Sequence, residues 1–383
     1  MSHFYKLQIK EVKRETPSAV SVVFNVPSEL QSAYQFVAGQ YINLKLTLDG
    51  QEIRRAYSIC SSPESGELRI AIKSVKNGHF SKFANENLKV GDIIEVGQPE
   101  GRFTFEPQID RQRNYAAFVA GSGITPVMSI LKSVLHNEKD STFLLVYGNK
   151  NNVETIFHQE LHDLQQQYVG RFFVHYVYSQ IKVENELFGR IDKANVNFIL
   201  NNKHKEKEFS KFYLCGPEEM INLVSTVLKE HNVADKNIKF ELFSTSTSAE
   251  KTQEILGATS ENGHTKITVL VDDEETTFEM SQKQTLLEAA LKQGIDAPYS
   301  CQGGICSSCL ARISKGTAEM KKNSILTDKE VADGLILTCQ AHPTSSEIFG
   351  GRIITRMAKS PQLPCLRMIK NMASRRSSDQ KGN

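Results

Sequence analysis

The first hundred residues alternate apolar and polar positions in short runs that are separated by turn-forming residues. Alternation with a period of two is typical of β-strands with one buried face. Six such runs between residues 4 and 105 predict a small antiparallel barrel. The predicted strands are Phe4–Val12, Val20–Val26, Gln40–Leu48, Arg54–Cys60, Glu67–Lys73 and Asp92–Gly97.

The pattern changes between residues 114 and 243, where apolar strands alternate with amphipathic helices. This alternation predicts a parallel sheet that is covered on both faces, as in an α/β domain. The predicted strands are Tyr115–Ala120, Thr142–Tyr147, Phe172–Tyr178 and Phe212–Cys215. The predicted helices are Met128–Leu135, Thr155–Gln166 and Glu218–Glu230.

Residues 244–264 lose this periodicity and are rich in Ser, Thr and Gly, which is typical of an interdomain linker. A hairpin follows, with strands Lys266–Val271 and Thr276–Met280 around an acidic turn at 272–275, and then a helix over Gln284–Gln293. Strand, strand and helix in this order are the start of an α+β domain of the β-grasp type. The chain is therefore predicted to be a multidomain protein.

Composition bears on the cellular location and the possible partners of the protein. The 383 residues contain no apolar run of the roughly 18 residues that span a bilayer, and no signal peptide precedes the first strand, so a cytoplasmic location is predicted. The formal charge of +2 arises at the C-terminus, where residues 350–383 hold eight Lys or Arg and only Asp379 as an acid. The rest is slightly acidic, which argues against a nucleic-acid partner. The tail is predicted to be disordered, with a partner-binding or lipid-binding arm as the alternative.

Four cysteines carry the clearest chemistry. Cys301, Cys306 and Cys309 are spaced C-x4-C-x2-C, and Cys339 follows at a distance. This is the spacing of plant-type [2Fe-2S] ligands, and the glycines at 303 and 304 suit a loop whose backbone must turn tightly around a cluster. A structural zinc site and a disulfide framework are the alternatives. Zinc sites usually space their ligands in short pairs, and nothing else marks a secreted chain.

Two further stretches have the chemistry of nucleotide binding. Within the barrel, Arg55, Tyr57 and Ser58 offer a cation, a stacking ring and a hydroxyl along one strand, as a flavin dinucleotide requires, although an ordinary edge strand would show the same pattern. A second barrel segment, 73–83, has a turn at Gly78 and is predicted to begin a helix at Ser81, whose free N–H groups could bind a pyrophosphate.

In the α/β part, Gly121 and Gly123 lie between the first strand and its helix, followed by Pro126 in the first helical turn. Two glycines there permit a pyrophosphate to approach the backbone. Cys215-Gly216-Pro217 ends a later strand at the edge where ligands of such sheets bind.

The order of these motifs, together with Tyr147-Gly148-Asn149, resembles the ferredoxin–NADP reductase superfamily over residues 3–243. With a plant-type ferredoxin domain behind them, residues 3–349 resemble the phenylacetate-pathway oxygenase reductases, which serve ring-1,2-phenylacetyl-CoA epoxidases. The resemblance implies FAD, a [2Fe-2S] cluster and NADPH or NADH as cofactors.

The site residues follow from the same resemblance. The implied FAD-binding residues are Arg55, Tyr57, Ser58, Lys73, Gly78, Phe80 and Ser81. The implied residues for the nicotinamide nucleotide are Gly121, Gly123, Thr125, Cys215, Gly216 and Pro217. The implied catalytic residues are Tyr57, Ser58, Cys215 and Phe243. Phe243 would cover the flavin, although a core residue of the last strand fits its spacing as well.

The resemblance leaves the coenzyme open. Relatives that use NADPH often place a Ser-Arg pair after the third strand, and here the pair is Ser179-Gln180, while Lys150 follows Gly148-Asn149. The helical pair His158 and His162 has the spacing of two zinc ligands, but the Glu of that motif is absent, so a solvated helix face is predicted.

The predicted domains are an FAD-binding barrel at 1–107, an NAD(P)-binding α/β domain at 108–243, a linker at 244–264, a ferredoxin domain at 265–349 and a tail at 350–383. The implied activity is transfer of electrons from NAD(P)H through FAD and the cluster to an oxygenase component. A reductase for a Rieske dioxygenase or a hybrid-cluster protein is one alternative, and a non-enzymatic cluster carrier is the other.

Overall fold

The structure, a computed structural model, describes residues 4–350 except for 49, 77, 245–262 and 272–273. Most of the predicted linker at 244–264, the first half of the acidic turn at 272–275 and all but the first residue of the tail at 350–383 lie outside the described residues.

The N-terminal part is the predicted antiparallel barrel. Its six strands lie in the order β4-β3-β6-β1-β2-β5, and a bridge between Ile59 and Ile70 joins the two outer strands. Apolar side chains that alternate along each strand fill the interior, with Ile42, Leu44 and Ile70 fully buried. The elements are β1 (Phe4–Thr16), β2 (Ala19–Asn25), β3 (Tyr41–Leu48), β4 (Gln51–Ser58), β5 (Leu68–Lys73), α1 (His79–Glu86) and β6 (Ile93–Gly97).

The second part is a six-stranded parallel sheet in the order β10-β9-β8-β7-β11-β12, with helices on both faces. The chain leaves β7 toward β8 and later returns to β11 on the other side of β7, which creates a crevice at the carboxyl ends of β7 and β11. The elements are β7 (Asn114–Ala120), α2 (Ile124–Asn137), β8 (Thr142–Asn149), α3 (His158–Gln167), β9 (Phe172–Tyr178), β10 (Leu187–Phe188), α4 (Lys193–Phe198), β11 (Phe209–Pro217), α5 (Glu218–Glu230) and β12 (Ile238–Ser244).

The third part has the predicted hairpin and helix, followed by the cysteine loop and several short strands. Its main sheet has the order β14-β13-β19, in which β19 is parallel to β13 and closes the domain. The sequence pattern does not predict β19, because three residues are too few for a period to show. The elements are β13 (His264–Val271), β14 (Glu274–Ser281), α6 (Leu286–Lys292), β15 (Leu310–Arg312), β16 (Ala318–Met320), α7 (Asp328–Ala332), β17 (Leu335–Leu337), β18 (Ala341–Pro343) and β19 (Glu347–Phe349).

Candidate flavin, nucleotide and cluster sites

Two neighbouring arginines lie on opposite faces of strand β4. Arg54 is buried and its guanidinium donates to Glu52 at 2.8 Å and to Asp296 of the ferredoxin part at 3.1 Å. Arg55 is exposed, and its Nη1 donates to the Arg54 carbonyl oxygen at 2.7 Å, its one hydrogen bond to the described part of the chain. The charge of Arg55 therefore faces solvent, and its contact with a flavin diphosphate stays a prediction, whereas Arg54 joins the ferredoxin part to the barrel.

Tyr57 follows on the same strand and packs on Phe80, with 5.6 Å between the ring centroids. Burial raises the pKa of Tyr57 well above its ordinary value, so its phenol stays neutral. The Phe80 ring is 1% exposed within the barrel core. Phe80 thus positions Tyr57, and only the Phe80 backbone remains for a diphosphate.

The segment around Gly78 differs from its prediction in one respect. Helix α1 begins at His79 with Gly78 as its N-cap residue, so the expectation that Ser81 begins the helix is wrong. Ser81 is buried, and its Oγ accepts from Val75 N–H at 3.2 Å. A side chain on Gly78 would place Cβ 2.3 Å from this Oγ. Gly78 and Ser81 therefore shape the turn.

Lys73, at the end of β5, lies beside this turn. Its Nζ is 3.7 Å from Glu154 Oε2 in the α/β part. Lys73 therefore faces the boundary between the barrel and the sheet, and part of its charge is neutralised by Glu154.

The turn between β7 and α2 is held from three sides. Tyr147 OH donates to Gly121 O at 3.0 Å, and Thr125 Oγ1 donates to Ser122 O at the same distance. A Cβ on Gly123 would lie 2.2 Å from Cys215 O at the end of β11. The turn and Cys215-Gly216 therefore touch backbone to backbone. Thr125 is buried and serves the turn, so its predicted ligand contact can only involve its backbone.

Three polar side chains meet at the crevice in the sheet. Cys215 on β11 is in register with Glu241 on β12, and Ser58 Oγ of the barrel donates to Glu241 Oε2 at 3.4 Å. Cys215 is fully buried, and burial together with the Glu241 charge raises its pKa well above the ordinary value. The structure thus brings the predicted residues Ser58 and Cys215 together around a carboxyl group.

Glu241 is the functional candidate that the sequence analysis missed. Burial raises its pKa to about 8, and the Ser58 hydrogen bond only partly opposes this effect. The available signal was a single carboxylate inside the apolar strand Phe240-Glu241-Leu242-Phe243, since an acid there has to be neutral or paired. Phe243 is half-buried and packs against the core of the α/β part, so its role at the flavin stays a prediction.

A pH experiment tests the state of Glu241. Between about pH 4.5 and pH 8 the folded protein keeps a proton on Glu241 that the unfolded chain releases, so stability falls as pH rises through this window. We expect Glu241→Gln to flatten this part of the pH profile and to raise the apparent Tm at pH 8 relative to the unsubstituted protein. Differential scanning calorimetry from pH 5 to 9 measures both effects.

Glu219→Gln is the matched control, because Glu219 is exposed on α5 and the substitution makes the same change of charge. An unchanged slope in Glu241→Gln, or an equal change in Glu219→Gln, would contradict a protonated Glu241.

The four cysteines of the ferredoxin part form two pairs. The thiols of Cys301 and Cys306 are hydrogen-bonded to each other, and so are those of Cys309 and Cys339. In each pair the shared proton lowers the pKa of one thiol, Cys301 or Cys339, and raises that of the other. Among the described residues no three Cys, His, Asp or Glu side chains surround one point closely enough to hold a single metal ion. Two thiol pairs suit two irons better than one zinc.

The backbone conformation of the cysteine loop explains which residue types occur in it. Gly304 has a φ of 71°, and a Cβ there would lie 2.7 Å from Lys322 O. Gly303 N–H donates to Cys301 Sγ at 3.4 Å, as expected of a loop that directs N–H groups toward sulfur. Gln302 also has a positive φ, of 50°, and its carbonyl accepts from Gln340 Nε2 at 2.9 Å, next to Cys339. The residues present therefore fit a [2Fe-2S] cluster.

The cysteine loop packs directly on the barrel. Ser308, beside Cys309, lies 2.9 Å from Tyr41 OH and donates to Glu100 at 3.1 Å. Asn43 donates to both Glu100 and Ser308. Burial raises the pKa of Glu100 to about 7. In the β3–β4 pair Tyr41 is in register with Ser58, so adjacent strands connect the cysteine loop and the Ser58–Glu241 contact.

The cysteine loop also touches the α/β part. Ile305 packs against the apolar core formed by β7, β11 and α5, and Lys322 lies 3.9 Å from Glu218 at the start of α5. The loop is therefore in contact with both of the other parts of the chain.

Comparison with known proteins explains this arrangement. Family models for an oxidoreductase FAD-binding domain, an oxidoreductase NAD-binding domain and a 2Fe-2S iron-sulfur cluster binding domain match residues 6–105, 118–226 and 269–344. The chain is 36% identical over 350 residues to a subunit of the 1,2-phenylacetyl-CoA epoxidase of Escherichia coli K12, and the match covers 91% of this chain and 97% of that protein. The chain belongs to this family of modular reductases.

Other relatives are similar over most of the reductase. The ferredoxin reductase component of 3-ketosteroid-9-alpha-monooxygenase from Rhodococcus rhodochrous is 31% identical over 348 residues, with 89% of this chain and 95% of that protein covered. The fold is that of phthalate dioxygenase reductase, with a TM-score of 0.57 at 22% identity over 91% of this chain and 98% of that one. The predicted fold class and cofactor set are confirmed.

Two negative predictions concern helices. No helix in the described ranges is long and apolar enough to cross a membrane. His158 and His162 are exposed on α3, where the His158 ring packs on Tyr176 and His162 is hydrogen-bonded to Gln166. The predicted solvated face stays a prediction.

Proposed function

We propose that this reductase accepts hydride from NADH or NADPH at the crevice beside Ser58, Cys215 and Glu241 and delivers electrons to the oxygenase component of a phenylacetyl-CoA epoxidase. FAD, when bound, accepts a pair of electrons and releases them singly, and the cluster carries them one at a time. The proposal extends to the domain boundaries 1–107, 108–243 and 265–349 and to a cytoplasmic location.

The observation that carries the proposal is the adjacency of the two sites. Ser58 on β4 contacts Glu241 of the nucleotide sheet, and its register partner Tyr41 on β3 contacts Ser308 of the cysteine loop. A reductase that passes electrons within one chain requires such proximity, whereas a carrier without nucleotide chemistry would not.

The residues have separate roles in this proposal. Arg55 binds the flavin diphosphate, Tyr57 lies against the flavin ring, and Gly78 admits the diphosphate to the α1 N-terminus. Gly121 and Gly123 admit the coenzyme pyrophosphate. Glu241 holds a proton at its carboxyl group next to Ser58 Oγ.

In this proposal the ligands of the cluster are Cys301, Cys306, Cys309 and Cys339. Cys309 and Cys339 are almost completely buried, while Cys301 and Cys306 are partly exposed. The side of the loop that holds Cys301 and Cys306 is therefore the side on which an acceptor could approach.

The coenzyme is part of the test. Gln180 N–H donates to Lys150 O at 2.9 Å, so the two residues lie together at the carboxyl edge of the sheet, and both side chains are exposed. Lys150 offers a cation to a 2′-phosphate, but Gln180 cannot provide the bidentate grip of an arginine.

An anaerobic titration tests the proposal. The purified protein is titrated separately with NADH and NADPH while the flavin and cluster bands are recorded in the visible spectrum. We expect both bands to bleach, with the preferred coenzyme effective at the lower concentration. A protein that binds FAD and iron but bleaches with neither coenzyme would overturn the proposal.

A comparison of two purified oxygenases tests the identity of the electron acceptor. The reduced protein is mixed with purified phenylacetyl-CoA epoxidase oxygenase or with a ketosteroid monooxygenase oxygenase, and reoxidation is followed. Faster reoxidation by the first supports the proposal. Faster reoxidation by the second favours the alternative acceptor, which the 31% identity to the ketosteroid system's reductase component makes the second candidate.

A further inference from the structure

A polar cavity lies at the end of the parallel sheet opposite to the nucleotide crevice. Strands β7, β11 and β12 begin beside it, and the segment at 104–108, which leads from the barrel to the sheet, covers it. Its volume is about 270 Å³, well above the roughly 10–15 Å³ that a single water requires. The lining residues are Thr104, Phe105, Glu106, Gln108, Arg113, Tyr115, Lys211 and Lys239.

Three cations line this cavity. Lys239 Nζ donates to Thr104 O at 2.6 Å, which leaves two of its three protons. The Nζ group of Lys211 has no hydrogen-bond or ion-pair partner within the described ranges. Burial and the nearby Lys211 charge lower the pKa of Lys239. Two ammonium groups that repel each other therefore line one cavity, together with a single acid, Glu106.

The acids nearby balance only part of this positive charge. Glu138 is fully buried and accepts from Arg113, Tyr115, Ser141 and the Gln108 backbone, so its oxygens are occupied. Glu106 is exposed and also lines the cavity, so one carboxylate faces the two lysines Lys211 and Lys239.

Two buried donors also lack partners. Arg113 Nε and Tyr213 OH are buried and make no hydrogen bond among the described residues. Arg113 lines the cavity, and Tyr213 lies beside Lys239 in the β11–β12 register. Buried polar atoms without a partner are rare in folded proteins and each costs stability. Arg113, with its unsatisfied Nε, therefore lies on the cavity wall together with the two lysines.

We propose that this cavity is a binding site for a small oxyanion, with a phosphate or carboxylate group held between Lys211, Lys239 and Arg113. The site is separate from the nucleotide crevice, because it lies at the amino ends of the strands and Cys215 and Glu241 lie at the carboxyl ends. A bound anion would join the barrel-to-sheet segment to the sheet and so stabilise the relative placement of these two parts.

Calorimetric titration of the protein with FAD and cluster in place tests this proposal. Saturating NADP+ is present throughout, so that the nucleotide crevice and the 2′-phosphate position beside Lys150 are filled, and inorganic phosphate is titrated at constant ionic strength against chloride. We expect saturable binding that is at least about tenfold weaker in the double variant Lys211→Gln, Lys239→Gln, since charged hydrogen bonds are lost. Lys236→Gln, an exposed change that removes one positive charge where the double variant removes two, should bind phosphate normally.

Absence of phosphate binding, or equal binding by the double variant, would overturn the proposal. Should the double variant fail to fold, Gln108→Glu tests the same site, because it adds a negative charge at the exposed rim and leaves the buried residues intact. We expect weaker phosphate binding in Gln108→Glu, and unchanged binding there counts against the site. Competition by acetate would show that a carboxylate is also accepted, and its absence would restrict the site to phosphate.

Discussion

Replacement of Cys339 by alanine is expected to abolish the [2Fe-2S] cluster and leave the flavin in place. Cys339 and Cys309 form one of the two thiol pairs, and loss of one ligand leaves an iron without its full set of thiolates. Electron delivery to an oxygenase should fall by roughly 100-fold or more, because substitutions that merely surround a metal site already cost 10–100-fold. Iron content, the visible spectrum and oxygenase turnover measure the loss.

NAD(P)H oxidation with ferricyanide should change little in Cys339→Ala, because the flavin can reduce a small acceptor directly. The matched control is Cys60→Ala, which removes a thiol that is also buried but lies in the barrel, where its Sγ donates to Arg69 O. An intact cluster spectrum in Cys339→Ala, or equal iron loss in Cys60→Ala, would contradict the assigned ligands.

The second large effect is expected from Gly123→Ala. The φ of Gly123 is −60°, which any residue adopts, so the effect of a methyl group is purely steric. That methyl group would lie 2.2 Å from Cys215 O and 2.6 Å from Cys215 C, and both are backbone atoms that no rotamer change can move. The end of β11 has to shift, at a cost of about 1–3 kcal/mol. We expect KM for the coenzyme to rise about tenfold or more.

Steady-state kinetics with ferricyanide measures this KM, and the flavin and cluster spectra should remain normal. Gly97→Ala is the control, because a Cβ there would have its nearest neighbour at 3.5 Å, which is ordinary contact. An unchanged KM for the coenzyme in Gly123→Ala would contradict the view that the close contact between the turn and Cys215-Gly216 forms the nucleotide site.

Long elements were predictable because their periodicity extends over enough residues. The six barrel strands, the main strands of the parallel sheet and helix α5 appear where the pattern places them. Short elements such as β10, with two residues, and β19, with three, leave no periodicity and gain their stability from pairing with strands that are already placed. The start of α1 was missed because a glycine, rather than the expected serine, is its N-cap.

Site residues could be predicted where their function depends on the conformation of one short segment of backbone. The spacing of Cys301, Cys306 and Cys309 indicates the cluster without knowledge of the fold, since one loop holds all three. The environment of a side chain cannot be predicted in this way. The side chains of Phe80, Ser81 and Thr125 are buried: Phe80 packs on Tyr57, and the hydroxyls of Ser81 and Thr125 bond within their turns. Their contacts with ligands stay predictions. Whether a side chain faces a ligand or the core depends on neighbours that are distant in sequence.

The sequence by itself determined the three kinds of domain, their order and the cluster chemistry, because periodicity, glycine-containing turns and thiolate spacing are properties of contiguous residues. Only the tertiary structure decided how the sites meet. Glu241 acquires its raised pKa from burial beside Ser58, which is 183 positions away, and Tyr41 meets Ser308 across 267 positions. Such contacts exist only after the chain has folded, because packing of one domain on another creates both the desolvation and the hydrogen bonds.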